Sequence, residues 1–336
     1  MSFAIKSKIS LALLVLLAAC GGGGGGGDGG GTPVAAATPL AITAANYEAV
    51  AQQSVTATTY LMDTGGFVTG AQLAPREQVL INFSRVQITR LGRLFAVAPR
   101  LATGVTTTET QVCSGGGLIS STINDMAGNQ MVDAGDSASV VASNCVEFGA
   151  TINGAMGIEF RAVSGNFDGD VYSATVVMTL SNLQASTGAG QVSGNGSITL
   201  ALAGSGFKTG SLDMTITSLT MTGRVAGVNE TLTLQDWRIV SNFSPSGAGI
   251  ITRTTVNGTL ISAAQASQSV TVATVTPFVQ SGNNAYPASC QFIATGANGS
   301  KIRVTAQNAT TVLIELDADG NNVYEASRTR LWSDLG

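Results

Sequence analysis

The sequence predicts an α+β fold that is mainly β: a large antiparallel meander, as a curved sheet or open barrel, with two N-terminal helices packed on it. Three observations carry that expectation. Near residue 104 the apolar spacing changes from a period of ~3.6 to a period of ~2, the change from helix to strand. Charged residues are 11% and aromatics 5%, with 42 glycines and much of the rest Thr, Ser, Val and Ala, which suits an exported β-protein better than a helical cytosolic enzyme. Both helical stretches precede the first strand, an order of elements that fits an α+β domain.

In chain order, residues 1–19 form a processing signal. Lys6 and Lys8 give it a positive start, and Ile9–Ala19 is an apolar run too short to anchor a helix across a bilayer. Leu17-Ala18-Ala19-Cys20 resembles the lipobox of bacterial lipoproteins at all four positions. That resemblance implies cleavage before Cys20 and a lipid anchor, palmitate included, on the cysteine. Residues 20–41 then read as the lipidated cysteine and a flexible linker. Gly21–Gly27, Asp28 and Gly29–Gly31 cannot pack, and such a coil of roughly eleven residues reaches on the order of 18 Å. The family's inner-membrane proteins carry aspartate after the cysteine. Gly21 stands there instead, so the resemblance implies an outer-membrane lipoprotein facing the periplasm or the cell surface.

Residues 42–336 are expected to be one mainly-β domain, helical over 42–98 and sheet over 104–327. The first helix is expected over 42–61, with Ile42, Tyr47, Val50, Val55 and Leu61 on one face and Thr43 able to cap its start. The β-branched run Val55, Thr56, Thr58, Thr59 weakens its second half. The second helix is expected over 75–97. Val79, Leu80, Phe83, Val86, Leu91, Leu94 and Phe95 make its apolar side, with Pro75 in the first turn and Pro99 past the end. About ten to thirteen strands should follow. Ile198, Leu200, Leu202, Leu212, Met214, Ile216, Leu232 and Leu234 should share one buried face, because residues two apart in a strand point the same way. Thr199, Asp213, Thr215, Thr217, Thr231 and Thr233 should face water or a polar partner. Asn153-Gly154, Asn195-Gly196, Asn257-Gly258 and Asn298-Gly299 are expected as hairpin turns, since that dipeptide accepts two positive φ angles.

Helices followed by a long antiparallel sheet are similar, in element order, to open-barrel lipoprotein carriers and lipid-binding lipoproteins of bacterial envelopes. The paired cysteines and the Asp-rich turn before a Trp-Leu end also resemble uncharacterised β-rich proteobacterial envelope lipoproteins.

Composition removes several chemistries. The chain has no histidine, which excludes Ser-His-Asp and Cys-His activation, His-ligated zinc and histidine acid–base work. Loss of residues 1–19 takes Lys6 and Lys8, leaving 14 basic and 20 acidic residues and a net charge of −6. Only Lys208 and Lys301 remain as lysines, so neither a nucleic-acid partner nor polybasic lipid binding is expected. Beyond Cys20, three cysteines allow three single bridges. Cys113–Cys145 is the favoured one, because the two flank one compact segment in an oxidising compartment. Cys290 is left as a buried thiol or an alternative partner.

Two acidic stretches resemble calcium loops. In the first, Asp125, Asn129, Asp133 and Asp136 fall at ligand positions of an EF-hand or dockerin loop, with the Met131 carbonyl at a fifth; Ala127 and Gln130 depart from the pattern. In the second, Asp317, Asp319 and Asn321 do so, with Glu325 as a further oxygen donor and Arg328 at a position that cannot ligate. Polar turns rich in Asp, Asn and Gly explain the same residues without an ion. Phe167-Asp168-Gly169-Asp170 is a third acidic turn. Asp168, Asp170, Asp213, Glu230 and Asp236 are the carboxylates from which a glycosidase pair would be drawn, and Trp237 and Trp332 are sugar platforms or core fillers.

Three functions stay open at this point. One is a non-enzymatic envelope lipoprotein binding an apolar or lipid-like ligand in its curved sheet. Another is a structural or surface-interaction lipoprotein, adhesin-like or part of an assembly. The last is an envelope hydrolase using carboxylates. The residue inventory points away from the enzyme and from any required cofactor, calcium being the one ion the loops suggest. A closed apolar cavity, a filled core or a cleft of carboxylates would decide among the three.

Overall fold

The computed structural model describes residues 37–62, 79–100, 104–165, 171–187, 190–205, 209–225, 228–246, 249–281 and 284–335. The lipobox, Cys20, the glycine linker, Pro75 and the acidic turn at 167–170 lie outside the described residues. Helices α1 (Tyr47–Met62) and α2 (Val79–Val97) come first. The strands are β1 (Val105–Val112), β2 (Leu118–Asp125), β3 (Ser137–Glu147), β4 (Ala150–Gly165), β5 (Val171–Thr187), β6 (Gly190–Ser205) and β7 (Thr209–Val225). They continue as β8 (Val228–Ser246), β9 (Gly249–Ser262), β10 (Gln268–Ser281), β11 (Ser289–Thr295), β12 (Lys301–Ala306), β13 (Thr311–Asp317) and β14 (Ala326–Leu331). All fourteen form one sheet in sequence order, each paired antiparallel with the next, and β1 and β14 are its two ends. The fold is thus α+β and mainly β, as expected, with a meander that does not close on itself.

The register follows from the period-2 pattern. Ile198, Leu200 and Leu202 on β6 stand opposite Ile216, Met214 and Leu212 on β7, and all six are buried. Leu219 and Met221 on β7 stand opposite Leu234 and Leu232 on β8. Thr215 and Thr217 are exposed, and Thr199, Asp213, Thr231 and Thr233 are half-buried on the opposite face. That polarity, apolar within and hydroxyl-rich without, is the reverse of a lipid-facing barrel wall.

The three internal Asn-Gly pairs correct the turn expectation. Asn153-Gly154, Asn195-Gly196 and Asn257-Gly258 lie inside β4, β6 and β9; only Asn298-Gly299 sits in a turn, between β11 and β12. The register shifts beside each internal pair. Opposite them, β3, β5, β7 and β8 each break the alternation once, with two consecutive exposed residues between inward-facing ones: Ser143-Asn144, Ser181-Asn182, Thr217-Ser218 and, with Gln235 half-buried, Gln235-Asp236. Asn144, Asn182 and Asp236 take φ of 49°, 49° and 48°, the left-handed region that short polar side chains tolerate best after glycine. The Asn153 carboxamide oxygen accepts the Asn144 N–H at 2.7 Å, and Asn195 does the same for Asn182 at 3.3 Å. These are bulges in line across the sheet. Each adds a residue and bends its strand, so strands of up to 19 residues can follow a curved surface. Glycine is required in that line: a Cβ on Gly258, at φ +155°, would lie 2.6 Å from the Trp237 Cα.

Both helices lie on the apolar face, α2 against β2, β3 and β5 and α1 against β9 and β11–β13. Phe83, Leu91, Leu94 and Phe95 of α2 are buried, and the Phe95 ring meets Phe160 of β4 edge-on at 6.2 Å. α1 differs from the one-faced helix expected. Val50, Ala51, Gln53, Ser54, Val55, Ala57 and Thr58 are all buried, so this helix is covered on more than one side. Small residues at 51, 54, 57 and 58 allow that close approach. The α1 start is built by Thr43, whose Oγ1 accepts the Ala45 N–H, and by Asn46, whose Oδ1 accepts the Thr43 N–H at 2.8 Å. The compact unit begins at residue 37 and not at 42. Leu40 donates to the Ser269 carbonyl, and Ser269 donates back to Thr38, so this end of the expected linker is already bridged to β10.

Candidate functional site

The residues able to do chemistry fall at three places. At the first, Cys113, just beyond β1, is bonded to Cys145 on β3, with Cα atoms 5.4 Å apart and both side chains buried. The bridge closes 32 residues of chain, and a loop of that size is worth about 3–4 kcal/mol in the chain-entropy model. Cys290, on β11, is a buried thiol pushed up to about 12 by burial. A thiol held protonated at neutral pH is neither nucleophile nor ligand.

The β2–β3 turn holds the first acidic loop. Asp125 and Asp136 are fully buried. Asp125 accepts the N–H groups of Gly128 (2.7 Å) and Gln130 (2.9 Å). Asp136 accepts those of Met126 (2.8 Å) and Asp133 (2.7 Å). Asn129 donates to Asp133 at 2.6 Å and accepts the Met131 N–H. Burial pushes the Asp136 carboxyl above the usual aspartate range, against the pull of its two amide donors. Gln130 takes φ 69° where an EF-hand loop has glycine, and its side chain donates to the Ala98 carbonyl past the end of α2 at 2.5 Å. The loop's carboxylates therefore face backbone amides and position α2.

The β13–β14 turn repeats this frame. Asp317, fully buried, accepts the N–H groups of Gly320 (2.8 Å), Asn321 (3.1 Å) and Asn322 (2.8 Å). Asn321 accepts the Val323 N–H at 2.6 Å, and Asn322 takes φ 69°. Two differences matter. Asp319 replaces Ala127, and one oxygen each of Asp317, Asp319 and Glu325 lies within 4.8 Å of the others, a convergence the first loop's three aspartates do not make. Lys301, from β12, also reaches in: its Nζ lies 3.2 Å from Asp317 and donates to the Asn322 side chain at 2.6 Å. Burial raises the Asp317 carboxyl, but the Asn322 amide, the Lys301 ammonium and the Gly320 amide together outweigh it and hold it below the usual range.

Of the remaining expected site residues, Asp168 and Asp170 lie outside the described residues, and Asp213 and Asp236 have separate roles. Asp213 is held by both Arg238 nitrogens at 3.0 and 2.6 Å on the outer face, and Asp236 is a bulge residue. Trp237 is buried; Trp332 is buried, donates to the Asn308 carbonyl and stacks on Tyr286 at 6.1 Å, so both are core fillers and not sugar platforms. Two features had no sequence signal. Glu48 of α1 accepts from both Arg330 and Arg328 of β14, which hold its carboxyl below the usual range. Ser54 and Thr58 on α1, the Gln87 Oε1 on α2, the Trp237 Nε1 and Ser262 hold buried polar atoms with no hydrogen-bond partner among the described residues.

No protein-family model, curated protein or solved structure matches this chain.

Proposed function

We propose that this chain is a non-enzymatic lipoprotein of the bacterial outer membrane, tethered through Cys20, whose sheet serves as a structural or interaction body. The observation that carries this reading is how the apolar face is used. Trp237, Trp332, Phe83, Phe95, Phe278 and Phe292 are fully buried and join one contiguous core with α1 and α2. These side chains cover the face on which a carried ligand would lie, and that supports the structural reading. The lipobox and the Cys113–Cys145 bridge support export to an oxidising compartment. The lipid-like-ligand reading keeps one specific support: the unpartnered polar atoms on α1, α2, β8 and β9, which the polar group of an amphiphilic guest would satisfy.

Fractionation tests the tether. Wild-type chain should stay in the membrane pellet after carbonate washing, and Cys20→Ala should leave it; equal retention of the variant would overturn the anchor. Solvent extraction of the purified chain separates the two bodies. Anchor lipid alone supports the structural reading, and a further amphiphile in equimolar amount replaces it with the carrier.

A further inference from the structure

We infer that β1 is a docking edge for a second copy of this chain, paired strand to strand. A meander that does not close has two edges, and they differ. β14 has six residues and carries Arg328 and Arg330, both bound to Glu48 of α1. Charge and a covering helix are the usual ways to blunt an edge. β1 has eight residues, VTTTETQV, with six β-branched positions, no Pro or Gly and one charge. Among the described residues its one strand neighbour is β2, so alternate N–H and C=O groups along it point outward.

The side chains say the same. From Thr108 to Val112 every β1 residue is exposed, whichever face it points to, whereas Ile119 and Ser121, opposite Gln111 and Glu109, are buried. The covered part of the sheet ends at β2, and this half of β1 overhangs it. Exposed apolar groups gather at the same corner: Val112 (67%) stands directly opposite Leu118 (46%), and Val141 (44%) follows on β3.

A second copy fits this edge by its own sequence. Antiparallel pairing about a two-fold axis at Thr108 sets Thr107 against Glu109, Thr106 against Thr110 and Val105 against Gln111, so no like charges stand directly opposed. The outer-face pair Thr108–Thr122, 2.9 Å between hydroxyls, extends across the axis into a row of four threonines. A two-fold axis at Glu109 would oppose two carboxylates. The arrangement uses the same patch on both copies and therefore closes as a dimer.

Cysteine crosslinking of the full chain in membranes tests this. Thr108→Cys should give a reducible band of twice the mass on mild oxidation, because directly opposed Cβ atoms lie within disulfide reach. Thr215→Cys, exposed on β7, should give none. Thr106→Cys and Thr110→Cys chains should crosslink with each other when mixed and not when alone. Adding Thr110→Pro to Thr108→Cys should abolish the band while near-UV dichroism of the purified chain shows the fold intact. No band from Thr108→Cys, an equal one from Thr215→Cys, or an adduct with a different protein overturns the inference.

Discussion

The β2–β3 and β13–β14 turns are built on one frame and balance their charge in two ways. In each, a buried aspartate collects backbone amides from residues three and five further on, an asparagine accepts the next amide but one, and a non-glycine residue takes φ 69°. The first turn has amides alone for its two buried carboxylates. The second adds an ammonium, Lys301. The frame is thus a way of ending a hairpin with an internal anion, and what differs is whether a full positive charge answers it.

The largest expected effect comes from removing the central aspartates. Asp317→Ala leaves Lys301, only 15% exposed, with the Asn322 side chain but no counter-charge, and strands three amides. Breaking such a pair costs about 3 kcal/mol. Asp125→Ala strands two amides and no charge, which costs about 2 kcal/mol. Urea unfolding should rank the variants in that order. The reverse order would mean that Lys301 swings to solvent at no cost and that the second turn, too, runs on amides alone.

An intermediate effect is expected with pH, of opposite sign in the two turns. The Asp136 carboxyl is raised, so the native state binds its proton more readily than the unfolded chain. Its contribution is therefore lost as pH rises from ~3.9 through the higher folded value. The Asp317 carboxyl is lowered, so its contribution is fully present above ~3.9 and is lost as pH falls through the folded value. Measured against wild type between pH 3 and 6 by urea midpoints, the deficit of Asp136→Asn should grow as pH falls toward the ordinary aspartate range. That of Asp317→Asn should shrink below it. Parallel trends would show that the two carboxyls sit in the same electrostatic setting.

The same contrast separates what the sequence made legible from what it did not. Leu200, Leu212 and Leu234 announced their face by period alone, and Cys113 and Cys145 by position, because those signals are local or shared by adjacent strands. The three internal Asn-Gly pairs misled. The dipeptide reports that the backbone can take positive φ, and a hairpin and a mid-strand bulge use it alike; strand length decides between them, and that is set by pairing with neighbours. The candidate turns were legible as Asp, Asn and Gly spacing, but Lys301 was not. It lies sixteen residues before Asp317, one strand over, and stands beside the aspartate only because β12 and β13 pair Lys301 with Asp317.

The smallest expected effect concerns calcium. Spacing alone made Asp317, Asp319 and Asn321 a calcium loop, and the oxygens of Asp317, Asp319 and Glu325 do converge. Calcium needs six to eight oxygens with lone pairs to spare. Both Asp317 oxygens already serve amides, and one of them also faces the Lys301 ammonium. Calcium would have to expel that lysine and gains no second buried carboxylate in exchange. Asn129, Asp133 and Asp136 of the first turn are committed to partners within it in the same way. The melting temperature of the wild-type chain should therefore be the same in chelator and in millimolar calcium. A rise with calcium in wild type that disappears in Asp319→Ala would mean that the ion displaces Lys301, and that the second turn is a switchable cation site instead of one closed by its own ammonium.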